Sequence, residues 1–166
     1  MKKIYFIALL AFLGLNFHLT AQPPNFLWAK QLSGSSLNEY GSSITVDNYG
    51  NVYTTGSFGG TVDFDPGPGF FNLTSAGSYD VFVSKLDASG NFLWAKRWGG
   101  SSGSDGGSSI TIDVNGNVYT TGTIHNGTID FDPGPGVYNL VFTGNYHGFV
   151  SKLDPSGNFL WARISG

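Results

Sequence analysis

Short runs of β-branched and aromatic residues alternate with polar positions through most of the chain. In the first half they are SITVD, NVYTTGSF, VFVSKLD and NFLWAKRW, at residues 43–47, 51–58, 81–87 and 91–98. Alternation of period two over roughly four to eight residues predicts half-buried strands. Outside the first twenty residues no run has helical periodicity, so the pattern predicts an all-β fold.

The turns between these runs share one form. The pattern D-x-x-G-N joins the first run to the second and the third to the fourth, at 47–51, 87–91, 113–117 and 154–158. The opening Asp can accept hydrogen bonds from backbone N–H groups of the turn, and the Gly can adopt a positive φ. These joins therefore predict tight hairpins. Calcium loops are the alternative, but only the turn interpretation also explains the Gly and the flanking strands.

This set of four runs and two turns occurs twice in the sequence, as a tandem repeat. Residues 25–90 align with residues 91–157 after one insertion near His125, and 43 of the 66 paired positions are identical. Each unit is predicted to be a four-stranded antiparallel meander, with strands a to d and two apolar faces that must stack on a neighbour. The predicted buried residues are Tyr53, Phe82, Leu86 and Trp94, with Tyr119, Phe149, Leu153 and Trp161 as their counterparts.

The repeated motifs D-x-x-G-N-x-Y, D-x-F-V-x-K-L-D and G-x-x-L-W together resemble the SBBP family of bacterial β-propeller repeats, over roughly residues 25–166. The resemblance implies tandem propeller blades and a secreted protein of the kind found in Bacteroidetes-type bacteria, but no activity. The second unit departs from the pattern where His147 replaces Asp80.

Two blades are fewer than the four to eight that close a propeller. The expected fold is therefore all-β, with two full repeats and one extra N-terminal d-strand at 25–32. It is a partial or open array, or a protomer that forms a ring with copies of itself. The expected segments are a signal peptide at 1–21, the leftover strand and linker at 22–40, and blades at 41–98 and 99–166.

The N-terminal segment predicts export. Lys2 and Lys3 precede the apolar run 4–15, and the small residue Ala21 follows. This order is typical of a cleaved signal peptide, with an uncleaved anchor or a buried helix as the alternative. Twelve apolar residues are fewer than the roughly 20 that span a bilayer, so no membrane span is expected after cleavage. The expected location is extracellular, on the cell surface or periplasmic.

Charge and cysteine content limit which partners and which stabilising bonds are expected. The formal charge of −3 becomes −5 when Lys2 and Lys3 are removed, and no basic stripe exists, so nucleic acid is not an expected partner. The chain has no Cys, so packing and strand pairing must hold the exported protein together. A protein or a carbohydrate is the expected ligand, and a homo-oligomer is the expected alternative to a partial array.

The most conspicuous copied motif is DFDPGPG, between strands b and c. Strand alternation puts both carboxylates of D-F-D on one face and the Phe on the other. The candidate metal ligands are Asp63, Asp65, Asp130 and Asp132. Ca²⁺ is the only cofactor candidate, and it takes six to eight oxygen ligands. A plain corner, in which Pro fixes φ and Gly allows the reversal, explains the motif equally well.

Catalytic interpretations have little support. GGSSG around Ser101 matches G-x-S-x-G, but that motif needs a strand-to-helix elbow, and the first unit lacks the match. His125 and His147 occur only in the second unit. The rival prediction is a secreted hydrolase that acts on polysaccharide through the paired Asp residues. A catalytic constellation is usually unique, whereas DFDPGPG is copied. We therefore predict a non-enzymatic structural or binding protein that uses the rim formed by the b–c and d–a loops.

Overall fold

The computed structural model describes residues 25–34 and 39–165; the predicted signal peptide lies outside them. The strands are β1 (Ser33–Gly34), β2 (Glu39–Val46), β3 (Val52–Phe58), β4 (Thr61–Asp63), β5 (Asn72–Thr74), β6 (Asp80–Leu86), β7 (Phe92–Trp98), β8 (Gly106–Ile112), β9 (Val118–Asp130), β10 (Asn139–Leu153) and β11 (Phe159–Ser165). These ranges contain strands and turns but no helix, which confirms the all-β prediction. The described residues therefore include no helix that is long and apolar enough to cross a membrane.

Each repeat forms a four-stranded antiparallel sheet, as predicted. Sheet one has the order β2-β3-β6-β7, and sheet two has the order β8-β9-β10-β11. Neighbouring strands follow one another along the chain, so each sheet is a meander. Strand β8 of sheet two lies against β2 and β3 of sheet one. The two units are therefore stacked face to face, like adjacent propeller blades.

The b–c connection contains more strand structure than the loop that was expected. In unit one, β4 and β5 pair antiparallel and form a small hairpin beyond β3 and β6. In unit two, β9 and β10 run through the equivalent hairpin without interruption, apart from a register shift between Phe142 and Tyr146. The alternation of Val62 and Phe64 with polar residues is the signal for this extension, since both side chains are fully buried.

The extra N-terminal element pairs later than expected. Residues 25–32 form no ladder in the described part of the chain, and pairing begins at β1, where Ser33 and Gly34 lie opposite Asp63 and Val62 of β4. A d-strand needs the c-strand of its own sheet as a partner. No described strand precedes residues 25–32, so this segment has no such partner within the described chain.

Two apolar clusters form the core. The larger one joins the sheets: Tyr53, Val81, Val83 and Trp98 of sheet one share it with sheet-two residues that include Phe131. The smaller one fills the other face of sheet one around Phe58, Val62, Phe64, Phe82 and Ala95, with Leu32 packed against it. Of the predicted core residues, Tyr53, Phe82, Phe149 and Leu153 are fully buried, whereas Leu86, Trp94, Tyr119 and Trp161 are half-buried.

Trp98 is the largest fully buried side chain. It leaves the end of β7, and its ring centroid lies 6.1 Å from that of Phe149 and 6.4 Å from that of Phe131, both in sheet two. Leu32 occupies the equivalent position before unit one, next to the cluster that contains Phe64 and Phe82. Trp98, the last residue of β7, is thus a core residue of sheet two, and Leu32 takes the corresponding place for sheet one.

The D-x-x-G-N turns are built as the sequence predicts. In the turn that begins at Asp113, Oδ1 accepts the backbone N–H groups of Asn115 and Asn117, each at 2.9 Å, and Oδ2 accepts Asn117 Nδ2 at 2.8 Å. Gly116 has a φ of 78°, which only Gly adopts without strain. Asp87 makes the same set of bonds.

These hydrogen bonds favour the charged carboxylate. The Asn117 side-chain amide, with the backbone bonds, lowers the pKa of Asp113 to about 2. The bonds from Asn91, backbone first, lower the pKa of Asp87. A folded-state pKa below that of the unfolded chain means that ionisation stabilises the fold.

We expect Trp98→Ala to lower the free energy of unfolding by about 3–5 kcal/mol, because it opens a cavity between the sheets. Trp98→Phe should cost less, since the buried Nε1 has no hydrogen-bond partner among the described residues. Leu93→Ala, on the same strand but half exposed, is the control. Urea unfolding followed by tryptophan fluorescence and circular dichroism measures all three. Equal losses for Trp98→Ala and Leu93→Ala would contradict the packing role.

We expect the fold to lose stability as the pH falls from about 4 to about 2. The turn carboxylates stabilise the fold above the unfolded-state pKa of 3.8, and this contribution is lost as the pH falls through the folded-state value, about 2 for Asp113. Asp113→Asn should be less stable than the native chain at pH 7 and should approach it near pH 2. Thermal midpoints across this range test the expectation; a difference that does not change with pH would contradict it.

Candidate functional site

The b–c and d–a connections lie on one rim. Strand β1 of the first d–a connection pairs with β4 of the b–c hairpin. In the next pair of connections, Ser78 N donates to Gly103 O at 3.1 Å and Asp105 N donates to Tyr79 O at 2.8 Å. The D-x-x-G-N turns lie at the opposite ends of the strands. The predicted contact rim is therefore tied together by backbone hydrogen bonds.

The DFDPGPG corner of unit one is organised by its own carboxylates. Asp63 Oδ1 accepts the backbone N–H of Asp65 at 3.0 Å and that of Phe71 at 2.8 Å. Asp65 Oδ1 accepts the N–H of Gly67 at 2.8 Å. Phe64 points the other way into the core, with its ring centroid 5.1 Å from that of Phe82. The acidic side chains thus brace the corner while the Phe anchors it.

Unit two repeats this geometry. Asp130 Oδ1 accepts the N–H groups of Asp132 and Tyr138, at 3.0 and 2.7 Å, and Asp132 Oδ1 accepts Gly134 N at 2.8 Å. Gly136 is required because the Asp132 carboxylate occupies the space that a Cβ would need. Each of the four Asp residues thus uses one carboxylate oxygen to hold its own loop.

The structure places the four predicted ligands as two separate pairs, one in each unit. No group of three or more His, Cys, Asp or Glu residues within the described ranges is arranged to hold a metal ion. Two carboxylates with one oxygen each already committed leave few ligands for an ion that takes six to eight. The geometry favours the corner, and the cation site stays a prediction.

A groove of about 440 Å³ lies between the two corners. Its acidic wall carries Asp130 and Asp132 of unit two, and Arg97 of β7 supplies positive charge. Phe71 and Leu73 contribute apolar surface, and the buried Trp98 lies beneath it. An equivalent groove of about 420 Å³ before unit one has Asp63 and Asp65 but Gln31 in the place of Arg97. The grooves repeat in shape and differ in charge.

An ion pair holds the floor of this region. Arg97 Nη1 donates to Asp80 Oδ2 at 2.7 Å, and Asp80 is fully buried. Asp80 also accepts the N–H of Ala76 at 2.9 Å, which closes the loop after β5. In unit two the corresponding residue is His147, whose Nε2 lies 3.0 Å from Thr143 O. The departure from the repeat pattern therefore removes a buried ion pair.

Asp105 is a buried carboxylate that sequence reasoning missed. Its Oδ2 accepts the N–H of Gly100 at 2.8 Å, and its Oδ1 accepts the N–H of His125 at 2.6 Å. Burial raises the pKa of Asp105, and these two backbone bonds oppose that effect. Its equivalent in unit one is Glu39, another carboxylate, whose buried Oε1 has no hydrogen-bond partner among the described residues; the acidic pair at this position was the signal that could have found it.

The catalytic candidates do not form a constellation. Ser101 is exposed on the d–a connection, and no helix follows it in the described chain. The carboxylate of Asp105 bonds the backbone of His125 rather than its imidazole ring. The His125 ring packs edge-on against Tyr146, with centroids 5.2 Å apart. His125 thus has a packing role in this arrangement.

A second cleft, of about 390 Å³, lies between the sheets on the rim of D-x-x-G-N turns. Asp47, Tyr49, Lys85, Asp113 and Pro155 line it. The Pro155 carbonyl accepts Trp94 Nε1 at 3.2 Å and Lys85 Nζ at 3.3 Å. Its polar groups therefore serve the contact between the sheets.

Comparison with known proteins agrees with this architecture. Residues 27–57 and 93–129 match the SBBP family model, described as a beta-propeller repeat. An uncharacterized WD repeat-containing protein of Acanthamoeba polyphaga mimivirus is 28% identical over 166 aligned residues, which cover 83% of this chain and 11% of that protein. The chain thus spans a small part of the length of this relative. The two segments that match the family model begin at equivalent points of the two units.

We expect Ca²⁺ to leave the thermal midpoint of unfolding unchanged, because one oxygen of each corner carboxylate already accepts backbone hydrogen bonds. Calorimetric titration and thermal unfolding with Ca²⁺ or with EDTA test this. Heat of binding together with a higher midpoint, both lost in Asp63→Asn and Asp130→Asn, would instead establish the cation site. Asn keeps the carbonyl acceptor at Oδ1, so these variants remove charge with little change to the corner.

Proposed function

Because the chain carries β-propeller repeats of the SBBP family, we propose that it is an exported, non-enzymatic binding protein whose contact surface is the corner rim. Here the corner rim means the two DFDPGPG corners and the d–a connections beside them. The observation that carries the proposal is the groove of about 440 Å³ between the corners. Its walls are fixed by hydrogen bonds and core packing, and its surface offers groups of both charges.

Rigidity supports a binding role for this groove. Phe71 packs on Phe92 with ring centroids 4.8 Å apart, and Trp98 is buried at the base. The Asp80–Arg97 pair holds the loop that begins after β5. A preformed concave site with convergent polar groups loses little conformational entropy when a ligand binds. A protein segment or a carbohydrate with both charged or hydroxyl groups and an apolar face would suit these walls.

Export is supported by the sequence of residues 1–21, with its two Lys, its apolar run and its small residue at the expected cleavage point. Because the sequence contains no Cys, export would add no disulfide to this fold. The proposed location is extracellular, on the cell surface or periplasmic.

The rival function is hydrolysis of polysaccharide by the Asp pairs. In each unit the two carboxylates belong to one corner and share the same bracing role, whereas a glycosidase sets two carboxyl groups on either side of the scissile bond. The groove does bring Asp130 and Asp132 together with Arg97, so it offers a ligand groups of both charges. The binding role therefore accounts for more of the geometry.

The proposal is tested by screening the purified protein against soluble bacterial polysaccharides and immobilised extracellular proteins. We expect a ligand that is recovered chemically unchanged. Ala76→Trp, which obstructs the groove from an exposed lining position, should weaken binding at least about tenfold, equivalent to about 1.4 kcal/mol. The matched control Val114→Trp, at an exposed position on the opposite rim, should leave the affinity unchanged.

Two results would overturn the proposal. Loss of binding in Val114→Trp but not in Ala76→Trp would move the contact surface to the opposite rim. Release of new reducing ends from a polysaccharide, abolished by Asp132→Asn, would establish the hydrolase instead. Asp132→Asn keeps an oxygen to accept the Gly134 N–H, so the corner should persist in that variant.

A further inference from the structure

The two outer faces of the stacked sheets are matching halves of the interface between them. The leading face is the side of sheet one that carries Ile44 and Thr54, and the trailing face is the side of sheet two that carries Thr121 and Val150. Ile44 is 64% exposed, whereas its equivalent Ile110 is 5% exposed because it packs against sheet one. Val150 is 40% exposed, whereas its equivalent Val83 is fully buried against sheet two.

The leading face has, at Gly41, the glycine recess that the stacked interface uses at Gly107. Gly107 of sheet two lies directly against the Thr55 hydroxyl of sheet one, so a Cβ at this position would collide with it. The equivalent residue on the leading face is Gly41, where a Cβ would meet only a Thr54 methyl group at 3.9 Å. The leading face thus has the recess but no threonine to fill it.

The trailing face carries the complementary group. Thr55 Oγ1 donates to Phe82 O at 2.7 Å, which fixes the hydroxyl that faces Gly107. Thr121 Oγ1 makes the same bond to Phe149 O at 2.7 Å, although no described sheet covers it. Thr121 is therefore already oriented to enter a recess like that at Gly41.

Charge is complementary as well. Burial raises the pKa of Asp154 in sheet two, hydrogen bonds from Asn158 and Ser156 lower it, and the charge of Lys96 in sheet one adds to the lowering. The equivalents on the outer faces are Arg163, on the trailing side, and Asp87, on the leading side. Opposite charges across an interface favour one orientation of the partners.

Part of the leading face is already covered by residues 25–32, which take the place of a preceding d-strand. Trp28 Nε1 donates to Ala88 O at 3.0 Å, just as Trp94 Nε1 of sheet one donates to Pro155 O of sheet two at 3.2 Å. The same sequence NFLWA recurs at 158–162, where β11 begins, with Trp161 in the place of Trp28. Phe26 and Leu27 are more than 80% exposed, so little apolar surface holds this segment in place.

We propose that a second copy of this chain binds head to tail, its trailing face on the leading face of the first, with its β11 displacing residues 25–32. Trp161 of one copy then donates to Ala88 O of the next, and Arg163 approaches Asp87. Such an interface is heterologous, so it closes into a ring or continues as a filament. Two, three or four copies would supply four, six or eight blades, the range found in closed propellers.

Sedimentation and light scattering over a wide range of protein concentration test this assembly. The native chain should associate weakly, and Trp28→Ala should associate at least about tenfold more tightly, because it releases the competing segment. Ile44→Arg and Val150→Arg, each introduced into the Trp28→Ala chain, should abolish association. Both positions are exposed in the single chain, and unchanged circular dichroism and thermal midpoints would show that the fold is intact.

Mixing provides the decisive control. The Ile44→Arg chain keeps a native trailing face and the Val150→Arg chain keeps a native leading face, so an equimolar mixture should form dimers and nothing larger. The proposal is overturned if Trp28→Ala stays monomeric at every concentration, or if association persists in either arginine variant. It is also overturned if the mixture remains monomeric, since an interface that uses one patch on both partners would not be rescued by mixing.

Discussion

The structure depends on the fact that a four-stranded sheet with two apolar faces cannot bury both of them alone. The contact between the sheets solves half of this problem: Trp98 leaves sheet one and fills the core of sheet two beside Phe131 and Phe149. Because the last residue of a d-strand belongs to the next core, neither repeat is a self-sufficient unit. Stability must then be shared between neighbours, as in other repeat architectures.

This dependence explains the behaviour of residues 25–32. They precede the first full sheet, but Leu32 and Trp28 make on it the contacts that Trp98 and Trp94 make on sheet two. A short extended segment thus substitutes for a neighbouring sheet at the outer edge of the leading face. It leaves the inner positions around Ile44 uncovered, since those positions need a second full sheet.

Sequence predicted the strands of both sheets closely, because their alternation is strong and the D-x-x-G-N turns mark their ends. The extension of the b–c hairpin was missed, because β4 and β5 have only three residues each in unit one. The predicted carboxylate pairs are where alternation puts them, yet their bracing role appears only when the hydrogen bonds of Asp63 and Asp130 are seen. Trp98 and Asp105 act across the units, and local periodicity carries no information about contacts between sheets.

Comparison of the two units also separates the residues that support the fold from the residues that differ between the units. Positions that brace a turn or a corner are the same in both units: Asp65 and Asp132, for example, each accept a backbone N–H at 2.8 Å. Differences near the groove include Gln31 against Arg97, which lines it, and Asp80, the ion-pair partner of Arg97, against His147. When the bracing residues are the same in each unit and only the charged residues along the clefts change, each cleft can have a different surface on the same core. Under the proposed binding function, ligand selectivity is expected at the junctions between sheets, where the two units differ.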